Sequence, residues 1–473
     1  MDTSTNRRAF LGLLATASAA SWTGAGLFAA DALTPPSAKD PDEDFMRGLP
    51  PYNHTYHQSL VYKIFCAAKD APDQNLVRFE DALHYIRTIH DITGGLKQIA
   101  YLVGWQFEGH DSKYPAWLEV NRHLKRAEDP DARTSFLWLA KEAKKYNALV
   151  SVHINMSDAY ENSPLWKTYR DNGLISCDNN GTPIKGGVWD GEQCYYVDKV
   201  REWESGYAQK RIDAIFELLP FLRENGTVHI DAFGKIGGNP QLRNAVFGIV
   251  DYWHKQGVDM TTESIDLETI GRVPMAYHLN LSEKSRLKYP PNVLCGGGDY
   301  GNKIWTTDPE AGCLYEEAWG VSIDKDLCQK HGGLTSIVDT ICTKTLVWYY
   351  LNGHRALSYR DSDGIYRVTF SDGIESAVRK ADRHLTIRHG NRTLVDGGDL
   401  FVPALWTNGQ WFAYSRNGGT RIWPLPGPWK DAKTVTATDL TDEGRGKTST
   451  LIVSDGKLTI TLEAGKGLAI SPW

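Results

Sequence analysis

Short apolar runs alternate with helical runs from about residue 52 to residue 390, and this alternation constrains the fold more than any other feature of the chain. Several of the short runs are apolar on both faces, as strands covered by helices must be. The predicted strands are Gln98–Trp105, Ala148–Asn155, Thr227–Phe233, Val258–Glu263, Val293–Gly296 and Arg355–Tyr359. Repeated strand–helix units over about 300 residues favour a parallel (β/α)8 TIM-type barrel, with a doubly wound sheet as the alternative.

The clearest predicted helix spans Ser205–Asn225. Its apolar residues fall on one stripe, Ser205 is a candidate amino-terminal cap, and Gly226 follows as a stop signal. Further helices are predicted at Leu76–His90, Arg133–Tyr146, Gln241–Gln256 and Leu334–Asn352. They lie between the predicted strands, as the connections of a barrel must.

The pattern changes after about residue 391, where short strands are separated by turns of Gly, Asp and Asn. This pattern is typical of an antiparallel β-sandwich. We therefore predict a catalytic barrel over 51–390 and a C-terminal β-sandwich domain over 391–473. The proline-containing stretch 31–50 is predicted to be a linker.

Residues 1–30 are predicted to be a twin-arginine signal peptide. Arg7 and Arg8 precede a modest apolar run from Leu11 to Ala20, which is too short and too rich in small residues for a membrane span. No other stretch approaches the ~20 apolar residues that a transmembrane helix needs. The sequence therefore predicts export to the periplasm or secretion, without a transmembrane segment.

The charge balance gives no support for a nucleic-acid partner. Lys and Arg number 52 against 58 Asp and Glu, so the net charge is −6, and no basic excess is present to attract phosphates. The 7 cysteines show neither a C-x-x-C pair nor zinc-ligand spacing. We expect neither a metal nor a cofactor.

Two acidic residues end two successive predicted strands. Asp231 ends the run Val228–Asp231, and Glu263 ends Met260–Glu263, with one helix between them. Because reacting groups of barrels sit at the carboxyl ends of strands, these carboxyls are expected within ~5–6 Å of each other. That separation suits the nucleophile and the acid/base of a retaining glycosidase.

Other polar and aromatic residues follow neighbouring strands and are predicted to bind the substrate. Flat rings can stack on sugars, and amide, imidazole and carboxylate groups can hydrogen-bond hydroxyls. The candidates are Trp105, His110, Asp111, His153, Asn155, Trp189, Gln193 and Tyr195.

These segments together resemble the endo-α-N-acetylgalactosaminidases of glycoside hydrolase family 101 and the related family 129. The matching stretches are Gly104–Ser112, Tyr146–Ala148 leading to Val152–Asn155, Trp189–Asp198, Gly206–Arg211, His229–Asp231 and Thr261–Glu263. The resemblance covers about residues 95–360, and a β domain follows the barrel in the family as well. It implies a nucleophile at Asp231 and an acid/base at Glu263.

The resemblance also implies a sugar pocket that contains Asp111, His153 and Trp189. The implied substrate is α-linked N-acetylgalactosamine, or Gal-β-1,3-GalNAc, on Ser or Thr of mucin-type O-glycoproteins or related oligosaccharides, cleaved with retention. This chain departs from the family at Asp190–Cys194 and at Ser264–Ile265. Those departures leave endo or exo action open.

Three alternatives remain at this point. Gly296–Gly301 fits the G-x-G-x-x-G string of a dinucleotide-binding redox enzyme, but no helix pattern follows it. A glycan-binding protein would keep the aromatic residues without using the acid pair. An α-galactosidase or another α-galactosaminide hydrolase would share the same acids.

Overall fold

The computed structural model describes residues 51–277, 287–296, 322–323, 335–441 and 443–472. The predicted signal peptide at 1–30, the predicted linker at 31–50 and most of the glycine-rich string at 296–301 lie outside these ranges. Those interpretations stay predictions.

Eleven strands precede residue 324 in the described ranges. They are β1 (Leu60–Phe65), β2 (Gln98–Val103), β3 (Ala148–Asn155), β4 (Asp158–Tyr160), β5 (Lys185–Trp189), β6 (Glu192–Tyr196), β7 (Thr227–Asp231), β8 (Asp259–Thr262), β9 (Met275–Ala276), β10 (Cys295–Gly296) and β11 (Ser322–Ile323).

Eight of these strands form one parallel sheet in the order β10-β9-β8-β7-β3-β2-β1-β11. The last of these strands along the chain, β11, pairs with the first, β1, with Lys63 beside Ser322. The strands follow one another around the sheet in chain order, as in a (β/α)8 barrel. The predicted TIM-type fold is therefore confirmed. The strands β1, β9 and β11 were missed by the sequence analysis.

Seven of the described helices lie between barrel strands along the chain, and two follow the last barrel strand. They are α1 (Phe79–Thr93), α2 (Ala132–Ala143), α3 (Trp166–Asp171), α4 (Lys199–Glu204), α5 (Tyr207–Leu218), α6 (Phe221–Asn225), α7 (Pro240–Lys255), α8 (Thr335–Thr340) and α9 (Leu346–Asn352), with a π turn at Ile341–Thr345 joining the last two. Among the described residues, no helix has the length and apolarity to cross a membrane.

Local chemistry explains where α7 begins and why one long predicted helix is broken. Asn239 accepts hydrogen bonds from the amides of the first turn of α7, and Pro240 occupies a position that needs no amide donor. The helix predicted over Ser205–Asn225 is instead split into α5 and α6, because Pro220 lacks the N–H that would continue it. Ser205 follows α4 and does not cap α5, whereas Gly226 does end α6.

The barrel has two apolar layers and a polar end. Between strands and helices, rings such as Phe79 of α1 and Phe136 of α2 stack at 4.9 Å in a large aliphatic and aromatic core. Inside the barrel a smaller cluster contains Val61, Ile99 and Tyr101. Above it, toward the carboxyl ends of the strands, the side chains become polar, which is where barrel enzymes place their chemistry.

A three-stranded antiparallel sheet, in the order β4-β6-β5, is inserted between β3 and β7. It stands at the carboxyl end of the barrel, because β4 begins three residues after β3 ends. The insertion therefore forms part of the wall around the barrel mouth.

The second large sheet has 12 antiparallel strands and begins at Ala356. Its strands are β12 (Ala356–Ser362), β13 (Ile365–Phe370), β14 (Ile374–Arg379), β15 (His384–His389), β16 (Arg392–Asp396), β17 (Asp399–Pro403), β18 (Trp411–Ser415), β19 (Gly419–Pro424), β20 (Thr434–Thr441), β21 (Gly444–Ser454), β22 (Lys457–Leu462) and β23 (Lys466–Ser471).

The predicted antiparallel C-terminal region is confirmed, but its predicted start is wrong. The run at 355–359, assigned to the barrel, pairs antiparallel with β13 as part of β12. Most residues of β12 are exposed, as expected for the edge strand of a sheet. A barrel strand covered by helices would be buried. The division predicted at residue 390 falls inside this sheet.

The antiparallel sheet docks on the end of α1. The indole N–H of Trp406 donates to the carbonyl of Thr93 at 2.9 Å, and Arg445 Nε donates to the carbonyl of Asp91 at 2.8 Å. These carbonyls belong to the last turn of α1, where helix carbonyls have no partner within the helix. The described residues from 51 to 472 belong to one compact unit.

Candidate active site

Asp231 and Glu263 lie side by side at the carboxyl end of the barrel. Strands β7 and β8 pair in parallel with Ile230 opposite Thr262, so the next residues, Asp231 and Glu263, stand at the same level. Neighbouring strands are ~4.7–4.9 Å apart, and residues at the same level project to the same face. The register therefore places Asp231 and Glu263 at neighbouring positions of the same sheet edge, and the predicted carboxyl separation stays a prediction.

Glu263 is held by a lysine from the other side of the barrel mouth. Lys63 Nζ of β1 donates to Glu263 Oε1 at 2.7 Å, and the two side chains are 10% and 15% exposed. The same ammonium lies 4.6 Å from the ring centroid of Tyr277, within the range of a cation–π contact. The sequence analysis missed Lys63, although a single lysine within an apolar strand is a signal that could have found it.

His153 is the buried neighbour of Asp231. Its Nε2 lies 3.6 Å from Asp231 Oδ2, and the residue is 2% exposed. Burial, together with the nearby charge of Lys63, holds the pKa of His153 well below its usual value, so the ring is neutral near pH 7. Its ring stacks on His229 at 5.2 Å and lies 5.3 Å from that of His110.

His110 and Asp111 reach the same region from the loop after β2. His110 Nδ1 lies 3.0 Å from Asp111 Oδ2, and both residues are buried. Asp111 adopts a left-handed backbone with φ of 54°, which an aspartate tolerates better than most residues. The structure therefore brings four predicted site residues, His110, Asp111, His153 and Asp231, together at one end of the barrel.

Asn155 is oriented by the backbone and points its amide nitrogen at two carboxylates. Its Oδ1 accepts from the amides of Ser157 at 2.7 Å and Asp158 at 2.9 Å. Because the backbone donors fix that oxygen, the Nδ2 group must donate, and it does so to Asp158 Oδ2 at 2.9 Å and Asp231 Oδ2 at 3.4 Å. Asn155 therefore positions Asp231 through the protein itself.

Asp158 is a site residue that the sequence analysis missed. Burial, and then the charges of Asp231 and Asp111, raise the pKa of Asp158 to about 7. A carboxyl with this pKa carries a proton for part of the time near neutral pH. Its position three residues after Asn155, outside the predicted strand, left no pattern that could have identified it.

One set of side chains at the mouth could hold a metal ion. His110, His153 and Asp231 each present a ligand atom, and these atoms lie within 4.8 Å of one another. Two imidazoles and a carboxylate are a donor set that transition metals accept. Asp231 is one of the three groups, so an ion bound there would contact one of the two acidic residues at the strand ends.

The inserted hairpin borders the mouth through β5 and β6. Trp189 ends β5 opposite Glu192 and is 37% exposed. Glu192 accepts from Lys69 Nζ at 2.7 Å, and Lys69 lies in the loop after β1. This ion pair ties the hairpin to the loop that follows β1.

Three predicted substrate-binding residues have other partners. Trp105 is fully buried against Phe136, and its Nε1 donates to the carbonyl of His153, so it supports the site from the core. Tyr195 is buried against Trp166, and its hydroxyl donates to Glu161 at 2.6 Å. The prediction of direct sugar binding is wrong for both.

Gln193 is the third of these residues. Its Nε2 donates to the carbonyls of Gly186, Gly187 and Cys194. The amide nitrogen is therefore used to hold the hairpin together, and the structure does not bring it to the Asp231 and Glu263 carboxyls. A sequence does not show whether an aromatic or amide side chain of this kind contacts a ligand or other residues of the protein.

Comparison with known proteins gives a match in the barrel. Residues 51–268 match the family described as endo-alpha-N-acetylgalactosaminidase. A curated protein of Renibacterium salmoninarum, named "Putative endo-alpha-N-acetylgalactosaminidase", is 23% identical over 417 residues. That alignment covers 82% of this chain and 25% of the relative, so the chain spans about a quarter of the relative's length.

Solved structures show the same fold. The alpha-N-acetylgalactosaminidase NagBb of Bifidobacterium bifidum in complex with GalNAc aligns with a TM-score of 0.51 at 12% identity, covering 74% of this chain and 59% of NagBb. Its ligand-free form gives a TM-score of 0.50 with 73% and 59% coverage. At this identity the likeness concerns the fold alone.

Proposed function

Since residues 51–268 carry the sequence pattern of the endo-alpha-N-acetylgalactosaminidase family, which confirms the resemblance seen in the motifs, we propose that this protein is a retaining glycoside hydrolase acting on α-linked N-acetylgalactosamine. One observation carries the proposal. Asp231 and Glu263 follow paired positions of neighbouring parallel strands, at the end of the barrel where catalytic groups occur. Adjacent carboxyls at ~5–5.5 Å are the arrangement of retaining enzymes.

The proposed reaction has two displacements. In the first, an oxygen of Asp231 bonds to the anomeric carbon while the bond to the glycosidic oxygen breaks and Glu263 gives that oxygen its proton. In the second, Glu263 takes a proton from water, the water oxygen bonds to the anomeric carbon, and the bond to Asp231 breaks. Two inversions at one carbon give net retention.

The residues around Asp231 support this assignment. Asn155 donates to Asp231 Oδ2, which fixes the carboxylate orientation, and the neutral imidazole of His153 lies beside the same oxygen. We assign His110, Asp111 and His153 to the sugar-binding pocket, with Trp189 as an aromatic face at its border. Carboxylate, imidazole and indole groups supply the hydrogen bonds and the flat surface that an N-acetylhexosamine needs.

The substrate proposed is a mucin-type O-glycan on Ser or Thr, either single N-acetylgalactosamine or Gal-β-1,3-GalNAc, as a protein or an oligosaccharide. A protein that acts on such glycans must meet them outside the cytoplasm, which agrees with the predicted twin-arginine signal. Amino-terminal sequencing of the mature protein from the periplasm and the medium of an expressing bacterium tests the export part of the proposal.

The enzyme assay compares Asp231→Asn, Glu263→Gln and wild type on 4-nitrophenyl α-N-acetylgalactosaminide and on the matching Gal-β-1,3-GalNAc glycoside. Asp171→Asn, on the exposed surface of α3, is the matched control. We expect Asp231→Asn to lower kcat/KM by at least about 10³-fold and the control to match wild type. Turnover by Asp231→Asn at the wild-type rate would refute the nucleophile.

Stereochemistry is tested separately. Proton NMR of the first product should show the α anomer before mutarotation, because both displacements invert the same carbon. For Glu263→Ala, added azide should restore part of the turnover of the nitrophenyl substrate and give an α-glycosyl azide. A β-configured first product would contradict the double displacement. Activity on α-galactosides, with none on the acetamido sugars, would select the alternative substrate class.

A further inference from the structure

Lys63 is a buried cation in an apolar strand, and its ion-pair partner is the candidate site residue Glu263. Strand β1 has the sequence Leu60–Phe65, in which Lys63 is the only charged residue. Lysine is almost never buried unless it is paired. Its ammonium is satisfied by Glu263 at 2.7 Å and by the face of Tyr277 at 4.6 Å.

The contact spans the barrel mouth. Along the ladder that the described strands form, β2, β3 and β7 separate β1 from β8, which precedes Glu263. Lys63 therefore reaches Glu263 from a different part of the barrel wall. Because it is rooted in a strand paired along its whole length with β2, the lysine offers a fixed anchor and not a mobile surface charge.

We propose that Lys63 is the positioning residue for the acid/base Glu263: it holds Oε1 as a permanent acceptor, so that Oε2 is the oxygen that carries the exchangeable proton. This inference rests on the function proposed above. In the first displacement the proton passes from Glu263 Oε2 to the glycosidic oxygen as its bond to the anomeric carbon breaks and Asp231 bonds to that carbon. The negative charge that appears on Glu263 then lies directly beside the Lys63 ammonium.

In the second displacement Glu263 takes the proton from the attacking water, again through Oε2, and the ester bond to Asp231 breaks. Lys63 neither gains nor loses a proton in either step. Its contribution is to orient Glu263 and to stabilise the carboxylate formed by proton donation. That contribution is large only when the leaving group needs a proton.

Leaving-group dependence separates this role from a purely structural one. An aryl α-N-acetylgalactosaminide with a 4-nitrophenyl group leaves with little help from an acid, whereas a 4-methoxyphenyl group depends on protonation. For Lys63→Met we expect kcat/KM to fall by about 100-fold on the 4-methoxyphenyl substrate and by less than about 3-fold on the 4-nitrophenyl substrate, since acid catalysis is typically worth about 10²–10⁴-fold.

Four variants serve as references. Glu263→Gln should show the same dependence on the leaving group, and Lys63→Met combined with Glu263→Gln should be no worse than Glu263→Gln alone. Lys63→Arg keeps the cation and should recover most of the 4-methoxyphenyl activity. Lys69→Met, which removes another cation at the mouth, should change kcat/KM on both substrates by the same factor. Where Lys63→Met fails to fold, judged by circular dichroism and melting, Lys63→Gln takes its place.

An equal loss of kcat/KM on both substrates, or no loss, would overturn the assignment of Lys63 while leaving the hydrolase proposal intact. A further loss in the double variant beyond Glu263→Gln would also overturn it, because Lys63 would then act independently of Glu263. Absence of wild-type turnover on every α-N-acetylgalactosaminide would overturn both proposals together.

Discussion

Asp158→Asn is expected to make the protein more stable at alkaline pH and to flatten part of its pH dependence. Burial and the charges of Asp231 and Asp111 raise the pKa of Asp158 to about 7, whereas the unfolded chain should show an ordinary value near 3.9. The folded protein therefore holds this proton more tightly than the unfolded chain does. Stability from this group is complete below about pH 3.9 and is lost as the pH rises through about 7.

The size of the effect follows from the two pKa values. Each tenfold difference in proton affinity is worth about 1.4 kcal/mol, so the full loss between pH 4 and pH 8 is up to about 4 kcal/mol. With an unfolding entropy of about 2.1 cal/mol/K per residue, this corresponds to about 4 °C in a chain of this length. An asparagine at position 158 can still accept the hydrogen bond from Asn155. It carries no charge, so the folded protein does not lose stability as the pH rises through about 7.

The measurement is the melting temperature of wild type and Asp158→Asn from pH 4.5 to pH 8.5 at constant ionic strength. The titrating groups that both proteins share cancel in the difference between the two melting temperatures. The melting temperature of the variant should rise relative to that of wild type as the pH increases. The control is Asp455→Asn, an exposed turn residue whose left-handed backbone, φ of 51°, suits asparagine equally well. A difference that stays constant or falls with rising pH would refute the reasoning.

Three further predictions concern stability and specificity. Gly104→Ala should prevent normal folding, seen as loss of soluble protein, because its φ is 74° and a Cβ would lie 1.9 Å from the carbonyl oxygen of Ala67; wild-type melting would contradict it. Arg211→Met should cost about 3–5 kcal/mol in urea unfolding, since it removes the guanidinium that pairs with buried Glu202 at 3.0 Å and leaves that carboxylate with Tyr169 as its hydrogen-bond donor; a cost under about 1 kcal/mol would show that the pair is dispensable. Tyr195→Phe should keep kcat/KM within about twofold of the wild-type value, and a tenfold loss would indicate that the Tyr195 hydroxyl contacts the substrate.

The barrel could be predicted because its signals are local. Alternating apolar and helical runs fix the order of elements, and the two acids at strand ends are visible in the chain itself. The boundary of the second sheet was not predictable in the same way. Residues 355–362 look like a strand in either sheet, and only the pairing with β13 assigns them.

Side-chain roles depended on contacts that a sequence does not contain. Trp105 and Trp189 are both tryptophans near the ends of predicted strands, yet one is fully buried in the core and the other is exposed at the mouth. Lys63 pairs with Glu263 across 200 positions of sequence, and Asp158 belongs to the site through its hydrogen bond with Asn155 and its nearness to Asp231 and Asp111. Such pairings follow from the register of distant strands.

The docking of Trp406 and Arg445 on α1 bears on how this protein can be handled in the laboratory. Cutting the chain ahead of Ala356 would leave the terminal carbonyls of Asp91 and Thr93 without their donors and would uncover the side of α1 that now faces the antiparallel sheet. A truncated barrel would tend to aggregate during expression. A fragment made for crystallisation or engineering should therefore contain both sheets.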